Sequence, residues 1–141
     1  MNELTIEVSK TISASAEAIF DAWLDPKKLA SFVLPKPGMP HPEVSNDPRI
    51  GGGFEIIMQV GDNKIPHHGE YLEMDRPNRL SFTWNSPFSA DGSVVSIALE
   101  QVEDMKTEVT LTHTRFPNQE SYENHKIGWG HILDALEEVA L

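Results

Sequence analysis

From Gly51 to Phe116 the sequence keeps a strand-like period, and the connections between its apolar runs are too short to carry a crossover helix. Strands joined in that way pair antiparallel, as a meander. Phe54, Ile56, Met58 and Val60 alternate along one run, Gly61-Asp62-Asn63 turns the chain, and Lys64 to Met74 returns. After a second turn at Asp75 to Asn78, Leu80, Phe82 and Trp84 share one face opposite Ser81 and Thr83. Val95, Ile97 and Leu99, then Val109, Leu111 and His113, complete the series, with turns at Asn85 to Gly92 and Glu103 to Lys106. Each pattern is the period of two expected of a half-buried strand. Beyond Gly128 the period changes. Trp129, Ile132, Leu133, Leu136 and Val139 or Ala140 recur at helical spacing against Asp134, Glu137 and Glu138, which predicts an amphipathic C-terminal helix.

Ahead of the meander, Leu4, Ile6 and Val8 alternate with polar residues and predict a first strand. Ser13 and Ser15 are candidate caps for a short helix from Ala16 to Leu24, whose apolar face carries Ile19, Phe20, Trp23 and Leu24. Asp25-Pro26 combines a capping carboxylate with a proline suited to the first helical position. A second short helix follows from it, turning Leu29 and Phe32 inward. Five prolines between Leu34 and Pro48 forbid a helix or a central strand there, leaving a long surface loop with a short extended piece around Val44. The expected fold class is α+β: a curved antiparallel sheet of six to seven strands wrapped around a long C-terminal helix, with two short helices after the first strand. A curved sheet and a straight helix cannot touch everywhere, so an apolar space between them is expected.

A chain of 141 residues is one domain's worth. Its 22 Asp and Glu against 11 Lys and Arg give a net charge of -11, which repels nucleic acid and anionic membrane surfaces. With no cysteine, disulfides, cysteine-ligated metals and a cysteine nucleophile are excluded. The N-terminal residues have neither a basic segment nor an apolar core of the kind found in leader peptides, and no 18-residue apolar run occurs. The expectation is a soluble, unprocessed, cytoplasmic protein without membrane insertion.

Several segments resemble one family in order along nearly the whole chain: Ile12 to Pro26 (ISASAEAIFDAWLDP), Asp47 to Phe54 (DPRIGGGF), Gly69 to Trp84 (GEYLEMDRPNRLSFTW), Thr107 to His113 (TEVTLTH), and Gly128-Trp129 with Leu133 and Leu136. They are similar to the Aha-type family, homologues of the C-terminal domain of the heat-shock-protein-90 ATPase activator, in the SRPBCC (START/Bet v 1-like) superfamily. The resemblance implies a helix-grip fold around a hydrophobic cavity, in a superfamily with lipid, polyketide and hormone binders and a few enzymes. Where the family often carries an aromatic pair, commonly two tryptophans, after the second short helix, this chain has Ser31-Phe32.

The candidate cavity residues are Trp23, Phe32, Phe54, Phe82, Trp84, His113, Tyr122, His125 and Trp129. The aromatics either fill a core or line a cavity. Trp84 and Trp129 are expected to face one another, with Trp23 farther off on the first helix. His113 continues the inward face of Val109 and Leu111, as a satisfied core histidine, a ligand contact or an acid/base group. His125 shares a helical face with Trp129 one turn after Tyr122, while Gly128 and Gly130 suggest a close backbone approach or a kink.

Of the adjacent pair His67-His68, a strand turns at most one inward, so a metal pair is not expected. Gly51 to Gly53 precede a strand rather than a helix and read as a turn or bulge, not a phosphate loop. Glu55, Glu70, Glu100 and Glu108 fall on faces opposite the apolar runs and read as solvated. The common hydrolase, nucleotide-binding and zinc signatures are absent, and no cofactor is expected. Three functions stay open: binding of a small hydrophobic or amphipathic molecule, an enzyme with a His or Tyr acid/base, and a chaperone co-activator. A homodimer is a further partner state.

Overall fold

The computed structural model describes residues 5–33, 40–86, 92–116 and 118–140, with the side chains of Val60 and Ala140 left aside. Leu4, the 34–39 part of the expected loop and the 87–91 tip of the expected turn lie outside the described residues. The chain runs β1 (Thr5–Ile12), α1 (Ala16–Ala22), α2 (Pro26–Phe32), β2 (Glu43–Asn46), β3 (Gly53–Val60), β4 (Asn63–Asp75), β5 (Arg79–Thr83), β6 (Val94–Glu103), β7 (Lys106–Thr114) and α3 (Gln119–Ala140). The strands form one antiparallel seven-stranded sheet in the order β1-β7-β6-β5-β4-β3-β2, so the meander from β2 to β7 is capped by the N-terminal strand.

The local chemistry follows the sequence. Ser15 Oγ accepts from the Ala18 amide and Asp25 Oδ1 from the Lys27 amide, each satisfying a donor that a helix start leaves open. Ser31 and Phe32 belong to the last turn of α2 rather than to the segment after it. Gly61 adopts φ +62° between β3 and β4, a left-handed conformation that glycine reaches without strain. Gly51 has φ +84° in a turn, and a side chain on Gly52 would collide with the Asp47 carbonyl, so this triplet shapes a turn ahead of β3.

Alternation sets the core. Ile6, Ile12, Val109, Leu111, Val95, Ile97, Leu80 and Phe82 are buried on the face that meets Leu133 and Leu136 of α3. Each such side chain removed from water contributes about 1.5–3 kcal/mol before its loss of freedom is subtracted. Glu55, Glu70, Glu100 and Glu108 are exposed. Among the surface ion pairs that link elements, Arg76 grips Asp21 of α1 through two 2.9 Å bonds, and Lys10 of β1 meets Asp134 of α3 at 2.9 Å. Exposed as they are, they orient more than they stabilise. No helix of the described residues is long and apolar enough to cross a membrane.

Candidate functional site

Five of the nine candidate residues converge on one small cavity where α2, the sheet and α3 meet. Trp23 follows α1, Phe54 comes from β3, Phe82 from β5, Trp84 from just beyond it, and Trp129 from α3. Leu29 and Val33 close the α2 side, and Ile56 and Tyr71 complete the sheet side. The rings interlock. Phe54 stands edge-on to Phe82 at 5.2 Å, and Trp84 lies 5.1 Å from Trp129, the facing pair expected from the sheet and the helix. Trp23 is closer to this centre than expected, since the chain turns sharply between α1 and α2 and brings its ring onto the cavity wall. Phe32 stands behind it, edge-on at 4.9 Å, and does not reach the cavity. The free space is about 20 Å³, room for one water molecule.

The other three candidates, His113, Tyr122 and His125, form a second cluster on the far side of Trp84 and Trp129. Phe116 is its hub: His113 lies 4.6 Å away, His125 5.0 Å and Tyr122 6.0 Å. His113 is fully buried, and both ring nitrogens are occupied. Trp129 Nε1–H donates to Nδ1 at 2.9 Å, which leaves the ring proton of the neutral imidazole on Nε2. Nε2–H donates to Ser93 Oγ at 2.6 Å, and that hydroxyl donates to the Thr114 carbonyl at 2.8 Å. Every hydrogen in this relay has an acceptor, and the relay ends on backbone. Burial, with the neighbouring His125 as a smaller cause, lowers the His113 pKa to about 3. Burial likewise lowers His67 to about 4.

His67 points inward and packs 5.1 Å from Trp84, while His68 faces solvent. His67 Nδ1–H donates to the Ile65 carbonyl at 3.2 Å. His125 donates from Nδ1 to the Ser121 carbonyl at 2.8 Å, and burial lowers its pKa as well. No group of three potential ligands among the described residues is arranged to hold a metal.

The polar contacts of two residues that wall the cavity, Trp23 and Tyr71, were not foreseen. Trp23 is 4% exposed, and its Nε1–H has no hydrogen-bond partner among the described residues. Tyr71 Oη accepts from Asn46 Nδ2 at 3.1 Å, and Asn46 also donates to the Leu24 carbonyl at 2.8 Å, tying the β4 tyrosine to the end of α1. Burial raises the Tyr71 pKa, so the phenol keeps its proton. The signal for Tyr71 was present: His67, Gly69 and Tyr71 share one face of β4 by simple alternation. Gly69 answers a different need. A Cβ there would meet the Thr83 carbonyl and come within 2.8 Å of the Phe54 ring, so the missing side chain is where Phe54 lies. At Gly130, by contrast, a Cβ would meet nothing within 4 Å, and α3 runs unbroken through it, so the expected close approach is not found there.

A curved antiparallel sheet closed over one long C-terminal helix, with an aromatic-lined cavity between them, defines a helix-grip protein. Residues 13–140 match the family described as Activator of Hsp90 ATPase homolog 1-like protein, and the chain belongs to that family within the SRPBCC superfamily. Among solved structures, protein CV1439 from Chromobacterium violaceum is similar with a TM-score of 0.82 and 24% identity, over 96% of both chains. The AHSA1-like protein from Aeromonas hydrophila has a TM-score of 0.79 and 24% identity, over 96% of this chain and 91% of that one. CalU16 from Micromonospora echinospora has a TM-score of 0.73 and 22% identity, over 98% and 76%. These likenesses show the fold. The comparison with curated proteins returns no match.

Proposed function

We propose that this protein binds a small, largely apolar molecule between the sheet and α3, at the cavity walled by Trp23, Phe54, Phe82, Trp84 and Trp129. The observation that carries this reading is the gathering of five aromatic rings from four separate segments of the chain around one shared space. Such concave, apolar sites with a few placed polar groups are where small molecules bind. At about 20 Å³ the space admits only water, so a ligand enters by displacing rings from the positions they occupy without it. The energy of binding is then burial of the ligand minus the cost of rearranging those rings.

Binding is favoured over catalysis by the His113 relay. An acid/base group needs a free nitrogen within reach of substrate, and both nitrogens of His113 are engaged by Trp129 and Ser93. Thermal melting against a panel of apolar compounds, with native mass spectrometry of the purified protein, tests the reading. A ligand present at 100 times its Kd raises stability by about 2.7 kcal/mol. No rise with any compound, and no co-purifying small molecule, would reject it. We place this function in the cytoplasm, where a cysteine-free chain folds without disulfides.

The family's printed name supports a second reading, an interaction with a chaperone ATPase. Its test is addition of the protein to the chaperone of its own cell. Binding or a changed ATPase rate supports it, and neither at tens of micromolar rejects it. Sedimentation of the same sample tests for a homodimer.

A further inference from the structure

We infer that a second copy of this chain docks in the groove between β1 and α3, about a two-fold axis that passes beside Gly130. The groove holds about 490 Å³ and shares no lining residue with the ligand cavity. Val8 and Lys10 of β1 stand on one bank, and Lys126, Ile127, Gly130 and Asp134 of α3 on the other.

Both banks are unfinished surfaces. β1 is the end strand of the sheet: it pairs with β7 on one side, and its other edge meets no strand among the described residues. The eight residues Thr5–Ile12 thus present open backbone donors and acceptors, the kind of edge onto which another strand adds. Of the seven strands, β1 is the one on which α3 packs most closely, so the helix lies at the margin of the sheet and a neighbour at that edge meets both. On α3, Ile127 leaves 60% of its surface in water, while a Cβ on Gly130, one turn further on, would meet nothing within 4 Å. A protruding isoleucine and an open space one turn away fill one another when this helix packs antiparallel on its own copy.

The order of charges selects that partner. Lys126 and Asp134 stand four residues before and four after Gly130, on one row of the helix surface. A two-fold axis at Gly130 therefore sets Lys126 of each copy against Asp134 of the other, and the contact is made twice, as an isologous interface requires. Among the described residues Lys126 enters no ion pair, and its ammonium lies 5.9 Å from the Tyr122 ring. The Asp134 side chain is 67% exposed, with room for a second cation beside Lys10. Two copies of net charge -11 repel one another, so association needs a face where acid is sparse. With two lysines against one aspartate, this groove is such a face.

Sedimentation equilibrium from micromolar to near-millimolar protein, on the wild type and on the charge reversals Lys126→Glu and Asp134→Lys, tests the inference. The wild type should dimerise. Each variant alone places like charges at both contacts and should associate at least about tenfold more weakly, the size of two surface ion pairs. An equimolar mixture of the two variants should regain wild-type association, because the exchanged charges then attract across both contacts. Both positions are exposed, so the variants should fold. A second measurement needs no variant: in a mixture of isotope-labelled and unlabelled wild type, NMR should show the Ile127 methyls of one copy close to Gly130 of the other, and the β1 amides should exchange more slowly than in the monomer. A wild type that stays monomeric throughout would overturn the inference and leave the groove to another occupant. So would folded variants that dimerise as the wild type does, a mixture of them that fails to recover, or a dimer without the Ile127–Gly130 contact and the protection of β1. The cavity takes no part in this interface, so none of these results bears on the binding reading.

Discussion

Trp129 Nε1 of α3 donates to His113 Nδ1 of β7 at 2.9 Å, and this one bond selects the imidazole tautomer that hands its own hydrogen to Ser93. Helix and sheet are thereby joined by a directional contact inside an apolar interface. Hydrophobic packing alone tolerates a helix that slides or rotates, whereas a satisfied polar relay admits one register.

Acid should weaken the fold. His67 and His113 have folded-state pKa values lowered to about 4 and about 3, against an unfolded value near 6.5. The unfolded chain therefore binds more protons over that interval, and stability rises with pH from about 3 to 6.5 and flattens above. Two histidines give a slope of at most about 2.7 kcal/mol per pH unit. His125, also lowered, adds in the same direction. Urea unfolding midpoints at pH 7.5, 6.5 and 5.5 measure this, and an unchanged midpoint at pH 5.5 would refute it.

Ser93→Ala should cost about 1–3 kcal/mol, because it leaves His113 Nε2–H buried without an acceptor. Trp129→Phe strands the other nitrogen and also removes ring volume. Since both changes break one relay, the double variant should lose less than the sum of the singles, with a coupling of about 0.5–3 kcal/mol in urea denaturation. Strict additivity would mean that the relay does not act as a unit.

Gly69→Ala and Gly130→Ala should move stability in opposite directions. At Gly69 the methyl must displace the Phe54 ring or the backbone at Thr83, an overpacking cost of about 1–3 kcal/mol. At Gly130, in the middle of α3 with open space around it, alanine should stabilise by up to about 1 kcal/mol. Melting curves of the two variants decide the matter, and only Gly69→Ala should disturb the Phe54 environment in NMR spectra.

All three tryptophans should report a ligand. Because Trp23 lines the same cavity as Trp84 and Trp129, quenching or a wavelength shift should appear in each of three variants that retain a single tryptophan. A silent Trp23-only protein, with the other two responding, would confine the site to the Trp84–Trp129 side.

Much of this architecture was legible in residue order. The period of two from Phe54 to His113, short turns, the caps Ser15 and Asp25 and the helical period after Gly128 are local properties, because side-chain direction in a strand or helix repeats within a few residues. They determined an antiparallel sheet with a C-terminal helix and the inward face of nearly every strand, and with it the burial of His113, Phe82 and Trp129. Tertiary structure decided which inward residues meet. The turn between α1 and α2 placed Trp23 on the cavity and Phe32 behind it, and the crossing of α3 over the sheet separated the cavity from the His113, Tyr122 and His125 cluster. Partners such as Trp129 and His113, or Asn46 and Tyr71, come from strands and helices whose distance in space no local period encodes. Local sequence sets the direction of a side chain, but whether its hydrogen finds an acceptor depends on the packing of the whole domain, and that is why the open donor of Trp23 could be seen only in the folded molecule.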